Sequence, residues 1–164
     1  MSDPFYVAVG WGNLEKAREL LKSNPDLAFN RYFHDETPLH LAAKWGHKKV
    51  VKLLLANHAE VNARTDSGET PLHYAAENGE KDVAALLLAS HADIDARNRW
   101  GQTPLHWAAQ DGHKDLARLL LAHGAQVNAT DQLGQTPFRL SARWEPAVAD
   151  LLRDYGGRDP RAAK

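Results

Sequence analysis

A four-letter motif that returns at a fixed interval constrains this chain more than any other feature. TPLH begins at Thr37, Thr70 and Thr103, and the variant TPFR begins at Thr136, so every step is 33 residues. The run LLL occurs three times with the same step. Repetition at a period of roughly 20 to 50 residues is typical of arrays in which similar units stack in a line. The chain is therefore predicted to be such an array.

A weaker copy of the unit precedes the first TPLH. Asp3 and Gly12 align with Thr37 and Gly46 at an interval of 34 residues, which gives about five units between Asp3 and Tyr155. The two end units depart most from the pattern, as expected for units with one face in water. We predict a single domain with these boundaries: domain 1–155, N-terminal cap repeat 3–35, repeats 36–68, 69–101 and 102–134, C-terminal cap repeat 135–155, and a flexible tail 156–164.

The residues within one unit predict two short helices. Thr103 is a good N-cap, and Pro104 follows at the first helical position, where its missing N–H costs nothing. Gly112 ends this helix, because glycine readily adopts the left-handed conformation that closes helices. The second helix, HKDLARLLLA, is rich in leucine. One unit cannot bury this apolar face alone, so stability depends on contacts between neighbouring units.

Composition and charge exclude several classes of function. Lysine and arginine number 20 and the acidic residues 21, so the basic balance that usually marks nucleic-acid-binding proteins is missing. There are no cysteines, which excludes disulfides, thiolate metal sites and a cysteine nucleophile. The sequence has no signal-peptide pattern and no apolar run of the roughly 18 residues that a membrane span needs. We predict a cytoplasmic monomer that binds neither nucleic acid nor membranes.

The repeated segments TPLHLAAKWGH, TPLHYAAENG and TPLHWAAQDGH, with LLLANHAEVNA and its copies, closely resemble the ankyrin-repeat family. The resemblance implies an all-α ankyrin-repeat solenoid, with a helix–turn–helix and a β-hairpin loop in each 33-residue repeat. It also implies a non-catalytic scaffold or adaptor, without cofactors, that binds another protein through its concave face. Asp35, His58 and His91 depart from the family by standing where glycine is usual, and they are expected to tolerate left-handed backbone.

The histidines resemble a chemical site until they are compared with their own copies. His106, Asp111 and His113 lie within eight residues, which suggests a metal site or an acid/base pair. His106 recurs in every interior repeat, whereas Asp111 does not recur and His113 recurs only once, so the cluster is not rebuilt elsewhere. We predict no metal site and no catalytic residue. By the resemblance, a set of recurring threonines and histidines holds the repeats together: Thr37, His40, Thr70, His73, Thr103 and His106.

The variable positions are the candidates for recognition, because the repeat does not dictate which residues occupy them. They fall in the loop before each threonine and on the exposed side of each first helix, and they include four of the five tryptophans. Aromatic residues often dominate binding energy, although local packing of these rings is an alternative. The acidic balance of the surface favours a partner segment that is basic and apolar. The candidate contact residues are Phe33, Glu36, Trp45, Asp66, Glu69, Tyr74, Glu77, Arg99, Trp100, Trp107, Gln110, Asp111, Leu133 and Trp144.

Other interpretations stay open at this stage. The chain is alternatively an engineered ankyrin-repeat binder without a natural partner, although its drifting framework residues argue against a consensus library. Enzymatic activity is a further alternative, which metal analysis of the purified protein would test. Asn62 and Asn128 stand in VNA segments that, by the family resemblance, are targets of asparagine hydroxylation.

Overall fold

The helices of this protein come in pairs, one pair for each sequence unit. The computed structural model describes residues 3–142 and 145–161. The first helices of the five units are α1 (Pro4–Gly10), α3 (Pro38–Lys44), α5 (Pro71–Glu77), α7 (Pro104–Gln110) and α9 (Pro137–Ser141). The second helices are α2 (Leu14–Ser23), α4 (Lys48–Ala56), α6 (Lys81–Ala89), α8 (Lys114–Ala122) and α10 (Pro146–Asp154). Two 3-10 turns, Pro25–Phe29 and Phe33–Asp35, separate α2 from α3.

The helix pairs stack in series. Each first helix packs against the first helix of the next unit, and the second helices form a parallel row in the same order. Leu39, Leu72 and Leu105 are completely buried at equivalent positions, and paired alanines on the same helices let neighbours approach closely. Burying a leucine stabilises the fold by roughly 1.5–3 kcal/mol. The all-helical repeat fold predicted from the sequence is confirmed. None of the helices in the described residues has the length and apolarity needed to cross a membrane.

The loops between units are tight turns, and this differs from the predicted β-hairpins. No strand is assigned in the described residues. The Thr65 N–H donates to the Glu69 carbonyl within one loop at 3.0 Å, and the Asp66 N–H donates to the His34 carbonyl of the preceding loop at 3.1 Å. The Gly68 N–H also donates to the Thr65 carbonyl at 3.0 Å, so the bonds within a loop close a tight turn. A single backbone bond between neighbouring loops is too little to form a ladder. We refer to these segments below as the inter-repeat loops.

In the part of the chain that the structure describes, four residues other than glycine have left-handed backbone. Asp35, His58 and His91 have φ values of 60°, 63° and 66°, at the positions where the family resemblance expects glycine. His34 also has a φ of 60°, which the sequence analysis did not expect. Asparagine, aspartate and histidine adopt this conformation more readily than other residues, so the turns keep their shape without glycine.

A row of arginines joins the inter-repeat loops, and the sequence analysis did not identify it. Nη1 of Arg31 donates to the carbonyl of Arg64, Nη1 of Arg64 to the carbonyl of Arg97, and Nη1 of Arg97 to the carbonyl of Thr130. Each of these distances is 2.8 Å. The arginines recur every 33 residues, so each unit binds the next one in the same way.

The residues that follow α10 lie against the last unit. The Oγ1–H of Thr136 donates to the carbonyl of Arg158 at 2.9 Å, and Arg139 pairs with Asp159 at 3.3 Å. Gly157 donates its N–H back to the carbonyl of Leu152 at 2.7 Å. Polar groups at the end of the array thus find partners in the residues after α10. Flexibility of the tail 156–164 stays a prediction. The last three residues lie outside the described part of the chain.

Candidate protein-binding surface

A threonine and a histidine that bind each other fix the start of the first helix in each interior unit. The Thr37 N–H donates to Nδ1 of His40 at 3.1 Å, and the His40 N–H donates to Oγ1 of Thr37 at 3.4 Å. Nδ1 of His40 is therefore the unprotonated nitrogen. Nε2–H then donates to the carbonyl oxygen of Glu69 in the next unit at 3.0 Å. One imidazole thus caps its own helix and binds the following repeat.

The next two units repeat this geometry. Nδ1 of His73 and of His106 each accepts from the threonine N–H at 3.1 Å. Their Nε2–H groups donate to the carbonyls of Gln102 and Gln135, also at 3.1 Å. The six residues predicted to be structural are all buried: Thr37, His40, Thr70, His73, Thr103 and His106.

Burial keeps these imidazoles neutral. It lowers the pKa of His40 and His73 to about 4 and also lowers the pKa of His106, while the bond to a backbone carbonyl opposes the shift in each case. Both ring nitrogens of each histidine are already hydrogen-bonded. These histidines therefore have no lone pair left with which to bind a metal ion or act on a substrate.

The structure separates the cluster of His106, Asp111 and His113. His106 belongs to the buried cap, whereas Nε2–H of His113 donates to the carbonyl of Glu77 in the preceding unit at 2.8 Å. Burial is the main reason why the pKa of Asp111 lies above its ordinary value, with His113 opposing the shift and Glu145 adding to it. No three histidine or acidic side chains converge as metal ligands in the part of the chain that the structure describes.

Tyr74 lies on the exposed side of α5, and part of its ring is used in packing. The ring packs edge-on against the imidazole of His40, with 5.2 Å between the two ring centroids. Its hydroxyl donates to Oε1 of Glu36 at 2.6 Å. Burial raises the pKa of Tyr74, and the Glu36 carboxylate adds to this. Nζ of Lys44 lies 5.7 Å from the centre of the same ring, so one face of Tyr74 carries a cation.

Trp107 occupies the equivalent position on α7 and is held in the same way. Its ring packs edge-on against His73, with centroids 5.5 Å apart, and its indole N–H donates to Oε1 of Gln102 at 3.0 Å. Trp107 is half-buried, so its ring contributes to local packing as well as to the surface. A change at Trp107 would therefore disturb the fold as well as the surface.

Glu69 was predicted to be a contact residue, but its side chain is turned inward. The residue is only 7% exposed, and both its N–H and its carboxylate bind the Thr65 hydroxyl, the N–H at 3.1 Å. This bond closes the inter-repeat loop, which is why the carboxylate is not presented to a partner. Sequence position alone does not distinguish the closing residue of the loop from its exposed tip.

Several of the predicted contacts lie at exposed loop tips. Phe33 is 81% exposed and Leu133 is 70% exposed, and neither is needed for burial of the core. Trp100 is about half exposed, and the guanidinium of Arg99 lies 5.6 Å from its ring centre. Asp66 accepts a hydrogen bond from Nδ1 of His34, and this bond lowers the pKa of Asp66. The tips therefore carry both apolar and charged groups.

A small acidic cleft separates α5 from α7, with a volume of about 220 Å³. Both of its carboxylates belong to exposed residues, and its other three side chains are two amides and one indole. The cleft is lined by Glu77, Gln102, Trp107, Gln110 and Asp111. Trp144, the last predicted contact residue, lies outside the described residues.

An apolar groove of about 440 Å³ lies between α1 and α3, and the sequence analysis largely missed it. Of the residues that line it, only Trp45 was among the predicted contacts. Trp11 is 83% exposed, more than any other large apolar residue in the described ranges. The groove is lined by Tyr6, Val7, Gly10, Trp11, Leu41, Trp45 and His47. The alignment of the repeats contains the feature that could have predicted this groove. Gly10 stands where the other units have long polar side chains.

The two asparagines of the VNA segments join neighbouring units. Asn62 donates from Nδ2 to the His91 carbonyl at 3.2 Å and accepts from the Asp93 N–H at 2.8 Å. Asn128 donates to the Gly156 carbonyl at 3.0 Å and accepts from the Arg158 N–H at 3.1 Å. Each amide therefore donates one hydrogen bond and accepts one in these contacts. Hydroxylation of either residue stays a prediction.

Comparison with characterised proteins finds similarity to segments of much longer chains. The probable E3 ubiquitin-protein ligase XBOS32 of Oryza sativa subsp. japonica is 43% identical over 58 residues, or 35% of this chain and 12% of that protein. The protein ACCELERATED CELL DEATH 6 of Arabidopsis thaliana is 40% identical over 52 residues, or 32% of this chain and 8% of that protein. The chain therefore matches about a tenth of the length of these relatives, and their names refer to much larger proteins.

A family model describes nearly all of the sequence. The model for ankyrin repeats in three copies matches residues 5–98 and again residues 90–163. The predicted resemblance is confirmed by this match and by the serial packing of the helix pairs. Proteins of this kind generally bind other proteins and are generally not catalysts. The chain belongs to the ankyrin-repeat family.

Proposed function

We propose that this chain is a non-catalytic adaptor that binds another protein through its first-helix face. This face consists of the exposed sides of α1, α3, α5, α7 and α9, the residues that cap the C-terminal ends of these helices, and the loop tips formed by the four residues before each capping threonine. It corresponds to the concave face of the family resemblance. The proposed contact residues on it are those predicted above, without Glu69 and with the apolar groove added.

The distribution of exposed apolar side chains carries this proposal. Nine large apolar residues are exposed in the described part of the chain, and seven of them belong to the first-helix face. Single exposed apolar residues are common on soluble proteins, but their concentration on one face marks an interaction surface. The seven are Tyr6, Val7, Trp11, Phe33, Trp45, Trp100 and Leu133.

Two pairs of matched substitutions test the proposal. The Trp45→Ala, Trp100→Ala variant removes two exposed aromatic rings from the first-helix face. The Phe29→Ala, Tyr155→Ala variant removes two rings of similar exposure that lie elsewhere. Trp107 is left unchanged because it packs on His73.

Affinity capture from the source cells, followed by mass spectrometry, compares these two variants with the wild-type chain. We expect the wild type and the Phe29/Tyr155 variant to retain the same partner proteins and the Trp45/Trp100 variant to lose them. Circular dichroism establishes that all three are equally folded. Equal retention by both variants, or equal loss, would contradict binding through this face.

A further inference from the structure

The apolar groove is larger than the equivalent cleft between α5 and α7, because the N-terminal unit lacks two side chains that narrow this space in the other units. Gly10 aligns with Lys44, Glu77 and Gln110, and it contributes no side chain to the surface. A Cβ atom built on Gly10 would lie 3.4 Å from Cδ2 of Leu41 and meet nothing else closer than that. The space beside α1 is therefore open toward solvent.

Val7 is the second reason for the opening. It aligns with Leu41, Tyr74 and Trp107, all of which are larger than valine. Tyr74 and Trp107 pack against the preceding histidine, whereas Val7 remains 39% exposed. The groove's walls are mainly apolar, and its volume of about 440 Å³ is in the range of pockets that enclose a ligand group.

The charges beside the groove distinguish between possible occupants. Nζ of Lys44 lies 5.8 Å from the ring centre of Trp45, at the edge of the groove, and 5.7 Å from that of Tyr74. Two helix-to-helix steps along the array from the groove, the acidic cleft presents Glu77 and Asp111 with no cation in its lining. A complementary segment is therefore apolar at the groove, free of positive charge at Lys44, and cationic at the cleft.

The spacing of the helices indicates how many residues separate the apolar and the cationic side chain in the partner segment. The groove lies between α1 and α3, and the cleft lies between α5 and α7, two helix-to-helix steps away. Packed helices are about 8–10 Å apart, so the two sites are separated by roughly 16–20 Å. An extended chain rises about 3.3 Å per residue, which corresponds to about five or six residues.

We propose that the groove binds a bulky apolar side chain of an extended segment in a partner protein, and that a lysine or arginine five or six residues away in that segment binds Glu77 and Asp111. Polar or acidic residues lie between the two and face Lys44. This inference rests on the proposed function, because it names the chemistry of the partner that the first-helix face binds.

Synthetic peptides of this pattern test the inference directly. One peptide carries a leucine and a lysine about six residues apart, with a glutamate between them, and is labelled for fluorescence anisotropy. Control peptides replace the leucine by serine or the lysine by glutamate. We expect the first peptide to bind the wild-type chain and each control peptide to bind roughly tenfold or more weakly. Failure of the first peptide to bind better than its controls would overturn the inference.

Protein variants locate the binding. Gly10→Gln fills the groove with the kind of side chain that the other repeats already carry, and it removes no existing contact. We expect Gly10→Gln and Trp11→Ala each to weaken binding by roughly tenfold. Glu77→Lys should weaken the lysine peptide and improve the glutamate peptide, whereas Asp115→Lys, on the opposite side of the array, should change neither. Equal binding by Gly10→Gln and the wild type would overturn the inference.

Two further outcomes separate this inference from the proposed function. If sedimentation shows self-association that Gly10→Gln abolishes, the occupant of the groove is a second copy of the chain and the inference is wrong. If captured proteins are lost from the Trp45/Trp100 variant but retained by Gly10→Gln, the proposed function stands and the inference is wrong.

Discussion

The interior repeats and the two end units differ at one repeated position, the third residue of the first helix. The interior units have His40, His73 and His106 there, and all three are completely buried. The C-terminal unit has Arg139, which pairs with Asp159 of the following segment. The N-terminal unit has Tyr6, which is 37% exposed and packs edge-on against Tyr32 with centroids 4.8 Å apart.

This comparison shows that an end position in the array does not by itself produce an exposed apolar surface. The C-terminal unit is covered by a polar segment that hydrogen-bonds to Thr136 and Leu133. The N-terminal unit instead presents Val7 and Trp11 to solvent beside Trp45. The open groove is thus a property of the residues in the first unit, and this difference supports a role in binding.

The largest effect we expect is on stability at acid pH. The folded pKa of His40 and of His73 is about 4, below the unfolded value of 6.5, so the unfolded chain binds more protons between these values. Stability is therefore fully present above about pH 6.5 and is lost as the pH falls toward 4. Between pH 7.5 and 5 these two histidines should lower the free energy of unfolding by roughly 4 kcal/mol together.

Urea unfolding followed by circular dichroism at a series of pH values measures this loss. His106, whose pKa is also lowered, adds to it. The matched control is His123→Ala, because His123 is exposed and has ordinary backbone, with φ of −93°. An unfolding free energy that is the same at pH 5 and pH 7.5 would show that the interior histidines are not held neutral by burial.

The next largest effect concerns the threonine–histidine pair that starts the first helix of an interior unit. His73→Ala removes the acceptor for the buried Thr70 N–H and the donor for the partly buried Gln102 carbonyl, and both groups are left without this bond. We expect a loss of about 3 kcal/mol in the free energy of unfolding, from the unsatisfied groups and the cavity together. Urea denaturation measures it. A loss no larger than that of His123→Ala would mean that the interior histidines are not essential to the stack.

A smaller loss is expected at the C-terminal end. Arg139→Ala breaks a partly exposed ion pair with Asp159, so the expected cost is about 1 kcal/mol. Arg153→Ala, which breaks an exposed pair with Asp150, should cost less than about 0.5 kcal/mol. Hydrogen exchange in α9 should rise in the first variant only. Unchanged exchange there would indicate that the segment after α10 does not close the array.

The smallest effect on stability is expected for the exposed Trp11 of the N-terminal unit. Trp11 is 83% exposed, so Trp11→Ala should change the free energy of unfolding by less than about 0.5 kcal/mol. Phe5→Ala, in the same helix but only 1% exposed, should cost about 3–5 kcal/mol. A large loss of stability in Trp11→Ala would show that this ring supports the fold, and it would remove the contrast between the two ends.

The repeated residues predicted much of the fold. The same helix-starting and helix-ending residues recur every 33 residues, and they set the same helix boundaries in each interior unit. Thr–Pro at the start and glycine after each first helix indicate where the helices lie, and left-handed backbone at Asp35 was expected from its place in the repeat. The arginine row of Arg31, Arg64 and Arg97 has the same period and was detectable in principle. It was overlooked because an exposed arginine in a loop has no distinctive local pattern.

The candidate site was less predictable, because exposure depends on neighbours that are distant in sequence. Glu69 looked like a surface residue until its bond to Thr65 placed it inside the loop. Val7 and Gly10 looked like parts of a degenerate unit, and only their position beside Leu41 shows that they open a groove.

The sequence by itself determined the repeat, the helix pairs and the residues that cap them, since these depend on local geometry and on a period of 33 residues. Tertiary structure alone decided which variable side chains are free to contact a partner. The reason is physical, because a side chain is exposed or buried according to the size of the groups that the next unit places against it. At Gly10 and Val7 those groups leave a groove, and at Tyr74 and Trp107 they form a packed layer.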